Sequence, residues 1–383
     1  MANANNPSNY KRTAHILTGA CGILFFAFSF VWLYVFQRDV MEALHFSLSD
    51  GKTEFTPFWC AFVLTVVLLL LRWGVNALLG LKGVVRALSY FPSFLLLGVM
   101  TDVDYSVYQS GIADRWMWLL PLALAGYALL VFVLRRILGW WLDIEVQSGT
   151  LVNCNLFIFL MLTLMTVGIG NTNIHFHHEL AVESALRRGQ PEEVRRIGAK
   201  VVDPSRLLTS LRCYALSKEG KLGEYLFQTP QLYGAEGLLP DATQEHTLRM
   251  TVDSLYTYLG GQPWRGEKAV SFFRRLCNDE TGNHTTLEYY LSALLLDKQL
   301  PAFVEAWHSL YEAEDSLPHR YKEALFLYEK MHPSVTPTVI DEAMNEQWHA
   351  YDSLKHELSG TSGEGNYMRR KFGDTYWWYY QYN

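Results

Sequence analysis

Five apolar stretches, each about long enough to cross a bilayer, fill the first 170 residues and dictate most of what this chain can fold into. They lie near residues 15–36, 58–79, 84–100, 116–134 and 151–170. A hydrocarbon core of about 30 Å takes about 20 helical residues, and within it a single chain segment satisfies its own backbone only as a helix. The third stretch is the weakest, with Pro92 near its start; were it re-entrant, the count would fall to four. The first, ILTGACGILFFAFSFVWLYVF, follows Lys11 and Arg12 and closes on Trp32 and Tyr34, as interfacial aromatics do. A signal peptide would carry a shorter apolar core and then a small-x-small cleavage site. An uncleaved anchor is therefore expected.

The stretch from Leu151 to Glu183 is the hinge of the chain. It opens as the last span, LVNCNLFIFLMLTLMTVGIG, and continues as NTNIHFHHELAVE, an amphipathic helix start. Charge changes with it: residues 1–170 balance at +1, whereas residues 171–383 carry −7 of the total −6. No basic surface is concentrated enough for nucleic acid, and none is expected to bind. Within the first half the charges are asymmetric. Lys11, Arg12, Arg72, Lys82, Arg86, Arg135 and Arg136 flank one end of the spans; Asp39, Glu42, Asp50, Glu54, Asp102, Asp104 and Asp114 flank the other. Basic loops stay in the cytoplasm. The N-terminus is thus predicted inside, and an odd number of spans puts the acidic half outside.

That half, residues 171–358, is predicted to be all-α. Four turns resemble one another: Gly189-Gln190-Pro191, Glu219-Gly220-Lys221, Gly260-Gly261-Gln262-Pro263 and Lys298-Gln299-Leu300-Pro301. Each joins two amphipathic segments, and they recur at roughly 30–40 residues, the spacing of stacked helix–turn–helix repeats. The fold class expected is a polytopic transmembrane helical domain followed by a tetratricopeptide-like repeat domain; an irregular helical bundle is the plainer alternative. Residues 359–383 close the chain with a Gly/Ser-rich linker, SGTSGEGN, and an aromatic tail. Tyr376, Trp377, Trp378, Tyr379 and Tyr380 would expose costly apolar area if free. They are expected to dock on their own domain or on the bilayer interface, where Trp and Tyr are favoured, and are the first candidates to bind a partner if they do not pack within the chain.

The segments GIGNTNIHFHHELAVESALRRG, YALSKEGKLGEYLFQ, LPHRYKEALFLYEK and TYWWYYQYN resemble an uncharacterised family of Bacteroidota membrane proteins (a domain of unknown function, DUF6057-like). The resemblance covers mainly residues 165–383. It implies N-terminal spans, a tetratricopeptide-like C-terminal half and a bacterial origin, and it carries no catalytic residues, since the family has no established activity.

Three constellations remain. His175, His178, Glu179 and Glu183 share a helix face at i, i+3, i+4 and i+8, a donor set that suits a borderline metal; a polar juxtamembrane helix start explains them without one, and HExxH is absent. Asp102 and Asp104 form an Asp-x-Asp that could share a divalent cation in an envelope glycosyl- or lipid-transferase; solvated loop carboxylates are the simpler reading. Cys213 and Cys277 fit no zinc pattern and are expected as buried thiols, with a disulfide the lesser alternative. No nucleophile elbow or phosphate loop occurs, and no cofactor is implied. The expectation is a non-enzymatic inner-membrane protein, in contact with the lipid bilayer, that presents a periplasmic helical domain to a protein or peptide partner.

Overall fold

The structure, a computed structural model, describes residues 7–105, 115–137, 147–241, 252–279, 284–310, 317–333 and 341–383. Among them are eighteen α-helices and no strand, so the chain is all-α. It divides into two compact units, residues 1–177 and 178–383.

The first unit holds α1 (Pro7–Val31), extended by a wide π-type turn Trp32–Phe36, then α2 (Arg38–Ser49) and α3 (Pro57–Leu79). A 3-10 segment, Gly83–Tyr90, leads into α4 (Phe91–Thr101); α5 (Arg115–Ile137) and α6 (Ser148–Ile169) follow. Five helical stretches are long and apolar enough to cross a membrane: Tyr10–Phe36, Pro57–Leu79, Gly83–Thr101, Arg115–Arg136 and Ser148–Ile169. The third has the lowest mean hydropathy, 1.5, and is the most buried, at 61%. The two facts have one cause: a helix sheathed by protein does not need the uniformly apolar surface that lipid demands. Its backbone is irregular only where a neighbour compensates. Asn155 of α6 accepts from the Ala87 amide (2.8 Å) and donates to the Gly83 carbonyl (3.0 Å), closing the 3-10 segment. Conversely, Trp59, Leu78, Trp118 and Leu122 leave their rings and alkyl groups exposed, as a lipid-facing surface would. Arg72 and Arg86, taken from the sequence as loop charges, lie inside helical segments.

At one end of these helices Asn171 joins three chain segments. Its amide donates to Thr101 O (2.8 Å), its side chain donates to Val103 O (2.6 Å), and its carbonyl accepts from the Gln37 side chain (2.8 Å). Gly170 has no room for a side chain here: a Cβ would sit 2.6 Å from the Thr101 hydroxyl and 2.9 Å from the Trp32 ring.

α7 (Ile174–Arg187) carries the boundary. The second unit continues with α8 (Pro191–Val194), α9 (Arg206–Lys218), α10 (Leu222–Tyr225), α11 (Val252–Leu259) and α12 (Ala269–Asn278). Then come α13 (His284–Leu296), α14 (Leu300–Leu310), α15 (His319–Met331), α16 (Glu342–Leu358), α17 (Glu364–Phe372) and α18 (Tyr376–Tyr382).

The four turns that look alike in sequence share one backbone solution. Gly189, Gly220, Gly260 and Lys298 all have positive φ, between 57° and 91°. After each, the next amide reaches back five residues: Gln190 to Ala185 O, Lys221 to Leu216 O, Gly261 to Tyr256 O and Gln299 to Leu294 O. This is the left-handed helix cap that satisfies the last carbonyls and reverses the chain. The pairs are uneven, since α8 and α10 are single turns. α13 is buried on every side, from Glu288 to Leu296, which makes it the centre of the unit. Cys213 and Cys277 are free; burial pushes the Cys213 thiol up to about 12 and the Cys277 thiol up to about 11, so neither is a ready nucleophile.

Candidate functional site

Ser359–Asn366, expected as a linker, makes a compact turn with Gly360 and Gly363 at positive φ, and α17 starts within it. The aromatic residues then form a helix because Thr375 caps it, accepting from the Trp378 amide (3.2 Å). Tyr376, Trp377 and Tyr379 are buried in the main core of the second unit, and Trp378 and Tyr380 pack half-buried against it. The tail therefore docks on its own domain.

One carboxylate organises that docking. Glu323 on α15 is fully buried; it takes a bond from the Tyr376 amide (2.7 Å) and pairs with Arg320. Its backbone carbonyl accepts from the Trp377 indole (2.9 Å). Arg320 also reaches Asp374 (3.1 Å) and the Glu224 carbonyl (3.2 Å), while Glu224 accepts from the His319 amide (2.9 Å). His319 lies 3.3 Å from Glu323, which raises the imidazole above its ordinary range. Gly223 lets α10 approach: a Cβ there would sit 2.8 Å from Pro318 and 2.9 Å from the Tyr321 ring. Three of the segments singled out in the sequence, around Glu224, Arg320 and Tyr376, thus meet at one buried ion network.

Beside this anchor lies a cleft of about 420 Å³ between the tail and the segment 227–232. Arg369, Arg370, Asp374, Trp378, Gln231 and Leu232 line it. Both arginines are exposed; Arg369 lies 5.6 Å from the Trp378 ring centroid and Arg370 lies 5.4 Å from that of Tyr367. Gln231 is 4% exposed; its amide donates to Leu226 O (2.6 Å), and its Oε1 has no hydrogen-bond partner. Leu232 is 49% exposed and Val202, also lining the cleft, 61%. Two exposed guanidiniums, one carboxylate (Asp374), an indole and exposed apolar side chains thus line one cleft. The two exposed guanidiniums can take carboxylates as partners. Of the five aromatics singled out in the sequence, Trp378 and Tyr379 line this cleft, and Arg369-Arg370, not singled out, are marked in the sequence only by a basic run shortly before the aromatic one.

The other candidates are placed as follows. Glu179 and Glu183 are buried, and the Ser205 hydroxyl donates to Glu179. His178 packs against Gly198, where a Cβ would come within 3.0 Å of its ring and within 2.9 Å of Arg212. His175 is half-buried. Among the described residues, no group of three or more His, Cys, Asp or Glu side chains is arranged to hold a metal ion. Asp102 is held by Arg115, with an Nε contact of 3.0 Å, and by the Trp116 indole; Asp104 is exposed.

Residues 111–261 and 266–383 match the model of a family of unknown function (DUF6057), and the chain belongs to that family. Neither a curated protein nor a solved structure matches it.

Proposed function

We propose that this protein is a multi-pass bacterial inner-membrane protein that holds a tetratricopeptide-like domain on the periplasmic side and there binds a protein or peptide partner without catalysis. Five apolar helices and the uneven distribution of Lys and Arg, richer at one end of them although Arg38, Lys52 and Arg115 lie at the other, support the membrane setting and orientation. Helix pairs with a common left-handed cap support the repeat reading, because stacked pairs generate extended concave surfaces. The observation that carries the binding role is the cleft formed by Arg369, Arg370, Gln231 and Trp378. Of the tail aromatics, Trp378 and Tyr379 line it, and Trp378, half-buried, is the one left able to touch a partner there, while Tyr376 and Trp377 serve the core behind it. In the transferase alternative, the first acid is already committed to Arg115.

The test is direct. Full-length protein in neutral detergent is applied to an array of acidic, neutral and basic peptides. Binding to acidic peptides that falls about tenfold in R369E/R370E supports the reading, since interface charge pairs of this kind are typically worth a factor of that order. Equal binding by the charge-reversed variant, or no preference among peptides, removes it.

A further inference from the structure

Arg72 and Arg86 stand out within the membrane unit. Arg72 lies on α3, seven residues before its end at Leu79, and Arg86 lies in the 3-10 segment that α3 packs against. Arg72 stacks on the Tyr90 ring, 4.6 Å from its centroid, and Arg86 is within electrostatic reach of Arg72, Tyr90 and Cys21. Tyr90 itself is 1% exposed, its ring caged by Phe25, Phe94 and Phe159 at 5.2–6.5 Å.

These groups lack acceptors. The Nε atoms of Arg72 and Arg86 and the Tyr90 hydroxyl are all buried without a hydrogen-bond partner, and no carboxylate among the described residues pairs with either arginine. Two other arginines of the same unit are provided for: Arg135 donates to Leu79 O (2.8 Å) and Arg115 pairs with Asp102. Beside the Tyr90 hydroxyl α1 places Gly22, whose Cβ would lie 3.8 Å away, in ordinary van der Waals contact, and a glycine brings no side-chain acceptor. Two like charges half-buried among apolar helices, with three donors unsatisfied, are costly unless something of opposite charge completes them.

We propose that Arg72, Arg86 and Tyr90 form a binding site for an anionic phosphate group within the first unit. The complement of three unpartnered donors and two positive charges in one part of the unit is an anion with several acceptor oxygens. Guanidinium forks match phosphate oxygens in pairs, and the phenol donates to a third. A carboxylate offers two oxygens in one plane, whereas phosphate presents oxygens in three dimensions to donors carried on different helical segments. Basic pockets between transmembrane helices hold phosphate head groups of lipids elsewhere; a free phosphate would present the same chemistry.

The experiment uses delipidated full-length protein in neutral detergent and three probes: dioctanoyl phosphatidylglycerol, dioctanoylglycerol with the same chains and no phosphate, and inorganic phosphate. Thermal unfolding is followed against probe concentration. A saturable rise in Tm with the phospholipid and none with dioctanoylglycerol is expected. Inorganic phosphate acting alone would identify a free anion as the ligand; its failure beside an active phospholipid would identify the lipid. In R72Q/R86Q the apparent affinity should drop about tenfold or more, and in Y90F a few-fold. Should the double glutamine variant not fold, R72K decides, because lysine keeps the charge and loses the fork. No Tm response to either phosphate probe, or equal affinity in wild type, Y90F and the arginine variants, overturns the proposal.

Discussion

Both carboxylate oxygens of Glu323 are used, one by Arg320 and one by the Tyr376 amide, and His319 approaches the first from the surface side. This gives the tail a pH dependence of definite sign. Glu323 holds His319 protonated above its ordinary range, so the pair's contribution to stability is complete below the unfolded pKa of about 6.5. It is lost as pH rises through the elevated folded value. Comparing thermal unfolding of wild type and H319Q should show the largest difference below about pH 6.5, closing toward alkaline pH. A difference that grows with pH would contradict the assignment. Because His319 is 43% exposed, solvent screens the pair and the effect is small. Arg320 keeps Glu323 compensated throughout, and the tail stays docked at high pH.

Among the elements, the terminal helix separates what was legible in the sequence from what was not. The five spans emerge within a few residues of their expected limits because apolarity over about 20 residues is a local property. The four turns were legible for the same reason: a glycine after a helical run marks the left-handed cap, and only Lys298, at φ 57°, breaks that rule. Yet the binding partner of the tail was not legible, since Glu323, Leu296 and Gly365 are brought to it only by long-range packing. The site suffered equally, with Arg369 and Gln231 more than a hundred residues apart and joined by the docked tail. Removing Gly373–Asn383 is therefore expected to damage the fold and not merely a binding surface. It strips three buried aromatic side chains from the core, each worth about 3–5 kcal/mol on truncation to Ala, against a total stability of about 5–15 kcal/mol for a domain. Circular dichroism of the truncated full-length chain should show lost helicity or a sharply lowered midpoint. An unchanged midpoint would mean that the tail is a detachable ligand of its own cleft.

For the whole molecule, the charge pattern acquires a second meaning once Arg72 and Arg86 are inside helices. The proposed orientation then rests on residues that stay near helix ends, among them Lys11, Arg12, Lys82, Arg135 and Arg136. The two interior arginines are instead free for the phosphate site, which lies on the α3 side of the basic end. On this reading one distribution of charge sets both the direction of insertion and the place where an anionic lipid of the inner leaflet would bind. With five crossings, the N-terminus and Asn383 then lie on opposite sides. Alkaline phosphatase, active only outside the cytoplasm, and a fluorescent protein that matures only inside it, fused in turn after Asn383, should report phosphatase activity and no fluorescence. The same pair fused after Lys82 should report the reverse. Fluorescence after Asn383 together with fluorescence after Lys82 would place the second unit in the cytoplasm, reduce the crossings between those points to an even number, and point to Gly83–Thr101, the most buried of the five, as the stretch that does not cross.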